Sequence, residues 1–356
     1  MRGFLKVKVF VVLLALAGKV IAGNPDRAGQ SGASEILINP WAQSSGWYGL
    51  NVASIQGLES MNVNVAGLTF INRTDMTFSR TEWLVGSDIS INSFGIAQKV
   101  GEGAIGLSLV NFNLGDIPVT TTASPEGTGA TFRPRLSNFA LSYSRKFADY
   151  LSGGLTIRGI SENISDLKAF GVALDVGIQY ITGPEEHPEQ MKMGVTLKNI
   201  GSPMRYGGDG ITFRGNVPEG TYTATVGFPT EYFELPSSLS IGLSYDFYFG
   251  ATNRLTAVGT FISNSFSKDQ FGLGLEYGLK VKNTEMFLLR AGYRYEDGML
   301  SSNADERTTA HTGLAAGVTF QTAFANSSSN MLSISYSYRS SNPYDGTHSF
   351  GIRLSI

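Results

Sequence analysis

The sequence predicts an all-β fold: a fourteen-stranded antiparallel transmembrane β-barrel preceded by an N-terminal plug segment. Three observations carry the prediction. Apolar and polar residues alternate through most of the chain with period two, the period of a strand. The alternating segments run to about 10–13 residues, against roughly 5–6 for globular strands and roughly 9–11 for a tilted membrane-crossing strand. The connections between them are alternately long and short, as the loops and turns of such barrels are. Composition agrees: 43 of 356 residues are glycine and only 16% are charged, where soluble domains carry about 25% charge.

Residues 1–22 read as an export signal. Arg2, Lys6 and Lys8 form a basic start, Val9 to Gly18 an apolar run, and Val20-Ile21-Ala22 a cleavage site. Its removal lowers Lys+Arg from 27 to 23 while Asp+Glu stays at 29, so the formal charge moves from −2 to −6. A chain this acidic has no electrostatic footprint for nucleic acid, and outer-membrane lipid is the surrounding it is expected to contact. Residues 23–74 are rich in Gly, Asn and Ser. They also carry Trp41, Trp47, Leu58, Met61, Val63 and Val65, which points to a segment packed inside the barrel.

The barrel proper is expected over 75–356, with strands near 75–84, 88–99, 103–113, 136–147, 151–161, 169–182, 190–199, 237–249, 254–263, 270–281, 285–296, 311–322, 331–340 and 347–356. In 270–281, Phe271, Leu273, Leu275, Tyr277 and Leu279 share one face, and Gly272, Gly274, Glu276, Gly278 and Lys280 the other. Long connections at 114–135, 200–236 and 297–310 follow odd-numbered strands and are assigned outside the cell. Short turns such as 100–102, 148–150 and 282–284 are assigned to the periplasm. Aromatic pairs near strand ends, such as Tyr293 and Tyr295, fit interfacial girdles.

No cysteine is present, and the three histidines (His187, His311, His348) are far apart, which excludes thiolate chemistry and disfavours a metal site. Neither a catalytic constellation nor a cofactor is expected. Gly101-Glu102-Gly103-Ala104-Ile105-Gly106 matches a dinucleotide fingerprint, but it continues as a strand where the fingerprint needs a helix. Arg158, Asp175, Lys192, Lys198, Asp246, Glu276, Lys280, Arg290, Arg294, Glu296 and Arg353 fall on the inferred luminal face. Two readings stand: mutually paired charges filling the lumen, or Arg158, Arg290 and Arg294 attracting an anionic ligand or partner tail. In the longest loop, Met204, Arg205, Tyr206, Phe213 and Arg214 are either a docking surface or part of a fold over the barrel mouth.

Asn64-Val65-Ala66-Gly67-Leu68 resembles the Asn-Pro-Ala-Gly-Leu motif that FadL-like barrels carry between plug and first strand, with Val65 in place of proline. Thr77-Phe78-Ser79-Arg80-Thr81-Glu82-Trp83, Gly115-Asp116-Ile117 and Leu197-Lys198-Asn199-Ile200-Gly201-Ser202-Pro203-Met204 resemble the PorV/PorQ-type proteins of Bacteroidota. The resemblance implies a FadL-like barrel in the outer membrane. It further implies an accessory or adaptor of type IX protein secretion, with translocon subunits or cargo C-terminal domains as partners. The alternative it leaves open is a FadL-like channel passing hydrophobic small molecules.

Overall fold

A computed structural model describes residues 23–216, 222–281, 284–301, 303, 307, 309–324 and 327–356; the expected signal, 1–22, lies outside them. Among the described residues, fourteen long strands form one closed sheet. They are β1 (Thr74–Trp83), β2 (Ile89–Val100), β3 (Gly103–Asn113), β4 (Arg135–Ala148), β5 (Leu151–Ile164), β6 (Leu167–Thr182) and β7 (Met191–Gly201). The circuit continues with β8 (Ser238–Phe249), β9 (Asn253–Asn264), β10 (Gln270–Val281), β11 (Thr284–Glu296), β12 (His311–Phe324), β13 (Ser327–Ser341) and β14 (Thr347–Ser355). Every strand pairs antiparallel with its sequence neighbours, and β14 pairs with β1, from Asp75↔Ser355 to Glu82↔His348, to close the ring. Closure leaves no free edge, which a sheet in lipid requires.

The barrel is apolar outside and polar inside. Phe78, Phe94, Leu107, Leu109, Phe139, Leu141, Ile157, Leu273 and Ile352 are exposed on the outer face. Their strand neighbours Ser79, Thr81, Ser93, Ser142, Thr156 and Ser349 are buried. In water that arrangement would be unfavourable; in a bilayer the exposed band faces acyl chains and the hydroxyls pair within the lumen. Ser142 and Thr156 meet at 2.7 Å, and Thr81 and Ser349 at 2.7 Å. Phe147, Tyr150 and Phe249 ring the end that carries the short turns, and Tyr150 meets Tyr180 edge-on at 5.6 Å, as an interfacial girdle does. The protein is therefore an outer-membrane barrel, with its short turns and both ends of the strand circuit on the periplasmic side.

Residues 23–73 occupy the lumen. Their start is at the extracellular mouth, where Asn24 N donates to Asn264 O (3.2 Å), Gly32 N donates to Glu234 O (3.0 Å), and Arg27 pairs with Glu234 at 2.8 Å. The chain then descends through two short helices, α1 (Ala42–Ser45) and α2 (Ser60–Val63), and a 3₁₀ turn at Val65–Phe70, before entering β1 at the periplasmic end. Trp41, Leu50, Leu58 and Leu68 are wholly buried. Each contributes roughly 1.5–3 kcal/mol of apolar burial.

Candidate functional site

The segment Asn64–Leu68 fastens the plug. Asn64 Oδ1 accepts from Ala66 N (3.2 Å), capping the 3₁₀ turn, while its Nδ2 donates to Val52 O (2.9 Å) in the plug and Ile178 O (3.1 Å) on β6. The first turn position tolerates proline or any residue whose N–H is not needed, so Val65 serves there. A Cβ on Gly67 would stand 2.1 Å from Ile55 O, so this position admits only glycine. Luminal glycines repeat that logic around the wall. A Cβ at Gly177 would meet Asn64 Oδ1 at 2.1 Å, at Gly194 Val52 O at 2.4 Å, at Gly272 Leu50 at 2.1 Å and at Gly292 the Trp47 backbone at 2.8 Å. The glycine excess is thus a seat for the plug.

Residues 47–55 divide the lumen into two chambers. Tyr48, Gly49 and Val52 face an extracellular chamber of about 250 Å³; Trp47, Asn51, Ser54 and Ile55 face a periplasmic one of about 370 Å³. The partition is held by donors from the wall: Thr260 Oγ1 to Leu50 O (2.5 Å) and Gln179 Nε2 to Ile55 O (3.0 Å).

The periplasmic chamber is a ladder of paired charges. Asp246, Thr256, Glu276 and Arg290 lie directly across from one another on β8 to β11. Lys192 pairs with Asp246 at 2.7 Å, Arg254 with Glu276 at 2.8 Å, and Arg290 with Glu276 at 2.6 Å. Nearby, Arg353 pairs with Asp75 at 2.7 Å, and Asp75 also accepts from Leu58 N at 3.1 Å. Pairing of this kind offsets the cost of burying each charge. Plug carboxylate Glu59 receives Ser44 N (2.7 Å) and Gln43 N (3.2 Å), yet burial still raises its pKa.

The extracellular chamber differs. Its lining includes Leu37, Ile38, Val52, Val63, Trp83 and Ile262, with Lys198, Arg294, His311 and Arg339 and, among the described residues, no carboxylate. The Arg294 guanidinium lies 4.0 Å over the Tyr48 ring, and Arg339 lies 5.0 Å over Trp83. His311 stands edge-on to both rings, at 5.8 and 5.1 Å. Tyr48 reaches this position from a left-handed backbone (φ 64°), followed by Gly49 at φ 73°, a conformation that costs about 1–2 kcal/mol in a non-glycine residue.

The wall beside this chamber is weakly zipped. β11 and β12 pair only from Phe287↔Phe320 to Tyr293↔Leu314, so Arg294–Glu296 and His311–Gly313 have no ladder partner across that seam. On its other side β12 bulges, His311↔Ser341 being followed by Ala315↔Arg339. Buried Met299 sits in the gap, 3.0 Å from a Cβ placed on Gly313. By contrast β3 and β4 pair without interruption from Gly103↔Arg145 to Asn113↔Arg135.

The residues singled out from sequence fall into three groups. Arg158 pairs with Asp175 at 2.6 Å and Arg290 with Glu276, so at both the charge is matched within the wall; Arg294 enters no hydrogen bond or ion pair among the described residues. In the long loop Met204 is buried against Gly171, because the loop folds back and Met204 bridges Phe233 through paired backbone bonds of 2.9 and 2.8 Å. Tyr206 is half-buried and bonded to Glu162, whereas Arg205 (over Tyr232 at 5.2 Å), Phe213 and Arg214 are exposed. Tyr48, Trp83 and Arg339 escaped the sequence reading; the alternation Ser333, Ser335, Ser337, Arg339 was the available signal for the last.

The plugged barrel defines the class: an outer-membrane β-barrel of FadL-like fold. No family model matches the chain, and no curated protein does. Among solved structures, one titled "CymD monoaromatic hydrocarbon channel" is similar at 11% identity, with 90% of this chain and 97% of that one covered and a TM-score of 0.52. The toluene transporter TodX of Pseudomonas putida is similar at 11% identity, 89% and 98% coverage and a TM-score of 0.51. These likenesses correct the expectation of a PorV/PorQ-type secretion accessory, since the proteins sharing the fold are titled as hydrocarbon channels and transporters.

Proposed function

We propose that the protein is a channel for uptake of hydrophobic small molecules across the outer membrane and not an enzyme. The observation that carries this reading is the apolar and aromatic chamber on the extracellular side of the plug, beside a poorly zipped stretch of wall. The named activities of the CymD and TodX neighbours, a monoaromatic hydrocarbon channel and a toluene transporter, support it. Physical chemistry supplies the route. An apolar solute gains by leaving water for the Leu37, Val52 and Trp83 surface, at about 25 cal/mol per Å² buried. It would lose that gain among the ion pairs below the plug. The seam between β11 and β12, closed by Met299, leads instead toward lipid.

Uptake of radiolabelled toluene by cells expressing the protein tests the reading. Wild type should raise the initial rate well above vector alone, and Met299→Trp, which enlarges the side chain in the seam, should reduce it several-fold. Equal rates with and without the protein would overturn the proposal.

A further inference from the structure

Three parts of the chain that lie far apart in sequence meet at a buried pair of carboxylates near the extracellular mouth. Glu35 comes from the plug, in a 3₁₀ turn at Ser34–Leu37, and Glu162 from β5, close to its end at Ile164. The long loop between β7 and β8 supplies Tyr206, whose phenol donates to Glu162 Oε2. Tyr206 packs against an apolar cluster built from Ala33 and Ile36 of the plug, Ile160 and Ala169 of the wall, and Met204 and Leu235 of the loop. Glu35 is 8% exposed and Glu162 4%, and each leaves its Oε1 buried without a hydrogen-bond partner.

Among the described residues no cation bonds this pair. Arg27 of the plug pairs with Glu234 at 2.8 Å, and Arg158, further along β5, pairs with Asp175 at 2.6 Å. Arg205 of the loop lies over Tyr232 at 5.2 Å, and Lys168 of β6 is exposed. A metal ion is poorly served: no third acidic or histidine side chain joins the pair among the described residues, and calcium takes about 6–8 oxygens. Two carboxylates placed together in an apolar site do not both ionise, and one keeps its proton. Burial and the bond to Glu162 push the Tyr206 phenol above its ordinary range, so it remains an O–H donor to Glu162. Glu162 is therefore the charged member and Glu35 the protonated one. Burial, and then the Glu162 charge, push the Glu35 carboxyl up to about 7.

We infer that Glu35 and Glu162 form a proton-operated latch, which fastens the start of the plug and the long extracellular loop to the wall while the pair holds one proton and releases both when that proton is lost. The joints that transmit the release are in place. Gly32 N of the plug donates to Glu234 O of the loop (3.0 Å), and Met204 and Phe233 exchange backbone bonds of 2.9 and 2.8 Å. Loss of the proton leaves two negative charges in an apolar site, and withdrawal of the plug turn from β5 relieves them by admitting water. The latched state holds a proton that the open state gives up, so latching is favoured at low pH and lost as pH rises through about 7. The latch goes beyond the channel reading and does not depend on what the barrel carries.

Hydrogen exchange on the purified, detergent-solubilised full chain tests it, each rate being divided by the free-peptide rate at the same pH. From about pH 5.5 to about pH 8.5, protection over residues 33–38 and over residues 203–206 should fall at least 10-fold. The two segments should share one midpoint, while β3 and β4 stay unchanged. Glu35→Gln should abolish the fall in both segments. Glu162→Gln should move the midpoint to lower pH, because it removes one of the two causes that raise the Glu35 carboxyl, and it serves if the first variant does not fold. Protection independent of pH, a fall that survives Glu35→Gln, or a midpoint unmoved by Glu162→Gln would overturn the latch. Opening of 33–38 with 203–206 still protected would overturn the joint release of plug and loop. A pH response without toluene uptake would leave the latch and remove the channel reading; toluene uptake without a pH response would do the reverse.

Discussion

The two chambers of one lumen are built from the same residue types and handle charge in opposite ways. Below the plug, Asp246 and Glu276 stand between Lys192, Arg254 and Arg290, and each of these three cations has a carboxylate acceptor. Above it, Arg294 and Arg339 have aromatic faces and, among the described residues, no carboxylate. The comparison shows that luminal charge by itself indicates nothing about ligands. A matched ladder rigidifies the wall, whereas the cations above the plug have no counter-charge among the described residues of their chamber.

Removing an acid from the ladder should have the largest effect. Asp246→Ala strands Lys192, and an uncompensated buried charge costs about 3–5 kcal/mol, readable as a lowered urea midpoint for unfolding of the purified barrel. A smaller loss should follow from Gly194→Ala. Its Cβ would meet the Val52 carbonyl oxygen at 2.4 Å, and overpacking of this kind costs about 1–3 kcal/mol; plug displacement would also raise single-channel conductance. Arg339→Met should be neutral or stabilising to within about 1 kcal/mol, because it replaces an unmatched buried cation by an apolar side chain. If Arg339→Met and Asp246→Ala lost the same stability, the distinction between the chambers would fail.

A fourth effect depends on pH. The Glu35 carboxyl, buried beside Glu162, is pushed up to about 7 from a usual 4.5, first by burial and then by the Glu162 charge. The folded state therefore holds a proton that the unfolded chain has released. This contribution is fully present below about pH 4.5 and is lost as pH rises through about 7. Hydrogen exchange over residues 33–38 should accelerate across that interval, and Glu35→Gln should flatten the change. The smallest effect belongs to the exposed extracellular hairpin, where Phe213 meets Phe228 at 4.9 Å. Phe213→Ala there should change stability by about 1 kcal/mol or less.

The barrel was legible because lipid inverts the usual pattern. Alternating segments with large apolar residues on one face and Gly, Ser and Thr on the other have few other stable uses, and strand ends such as Gly103–Asn113 and Gln270–Val281 match the expected spans. The same alternation placed Arg158, Arg290 and Arg294 on the luminal face. It could not tell them apart, because Asp175 opposite Thr156 and Glu276 opposite Arg290 follow from strand register. Tyr48 was invisible for a different reason: its place over Arg294 is set by where the plug turns. Arg339 ends the small-residue alternation Ser333, Ser335, Ser337 on one face of β13, and nothing in that alternation marks which aromatic ring it meets. The secretion role rested on short motifs of the first strand and the loops, and such motifs track ancestry and fold more closely than activity.

The central claim is that an apolar solute crosses this barrel sideways over a closed plug. Its most direct test is the paired measurement of toluene flux into proteoliposomes and ion conductance in planar bilayers on one protein preparation. Toluene flux above protein-free vesicles is expected with no steady open-pore conductance, because residues 47–55 separate the chambers. Flux absent altogether, or flux that appears only with a large steady ion conductance, would contradict it.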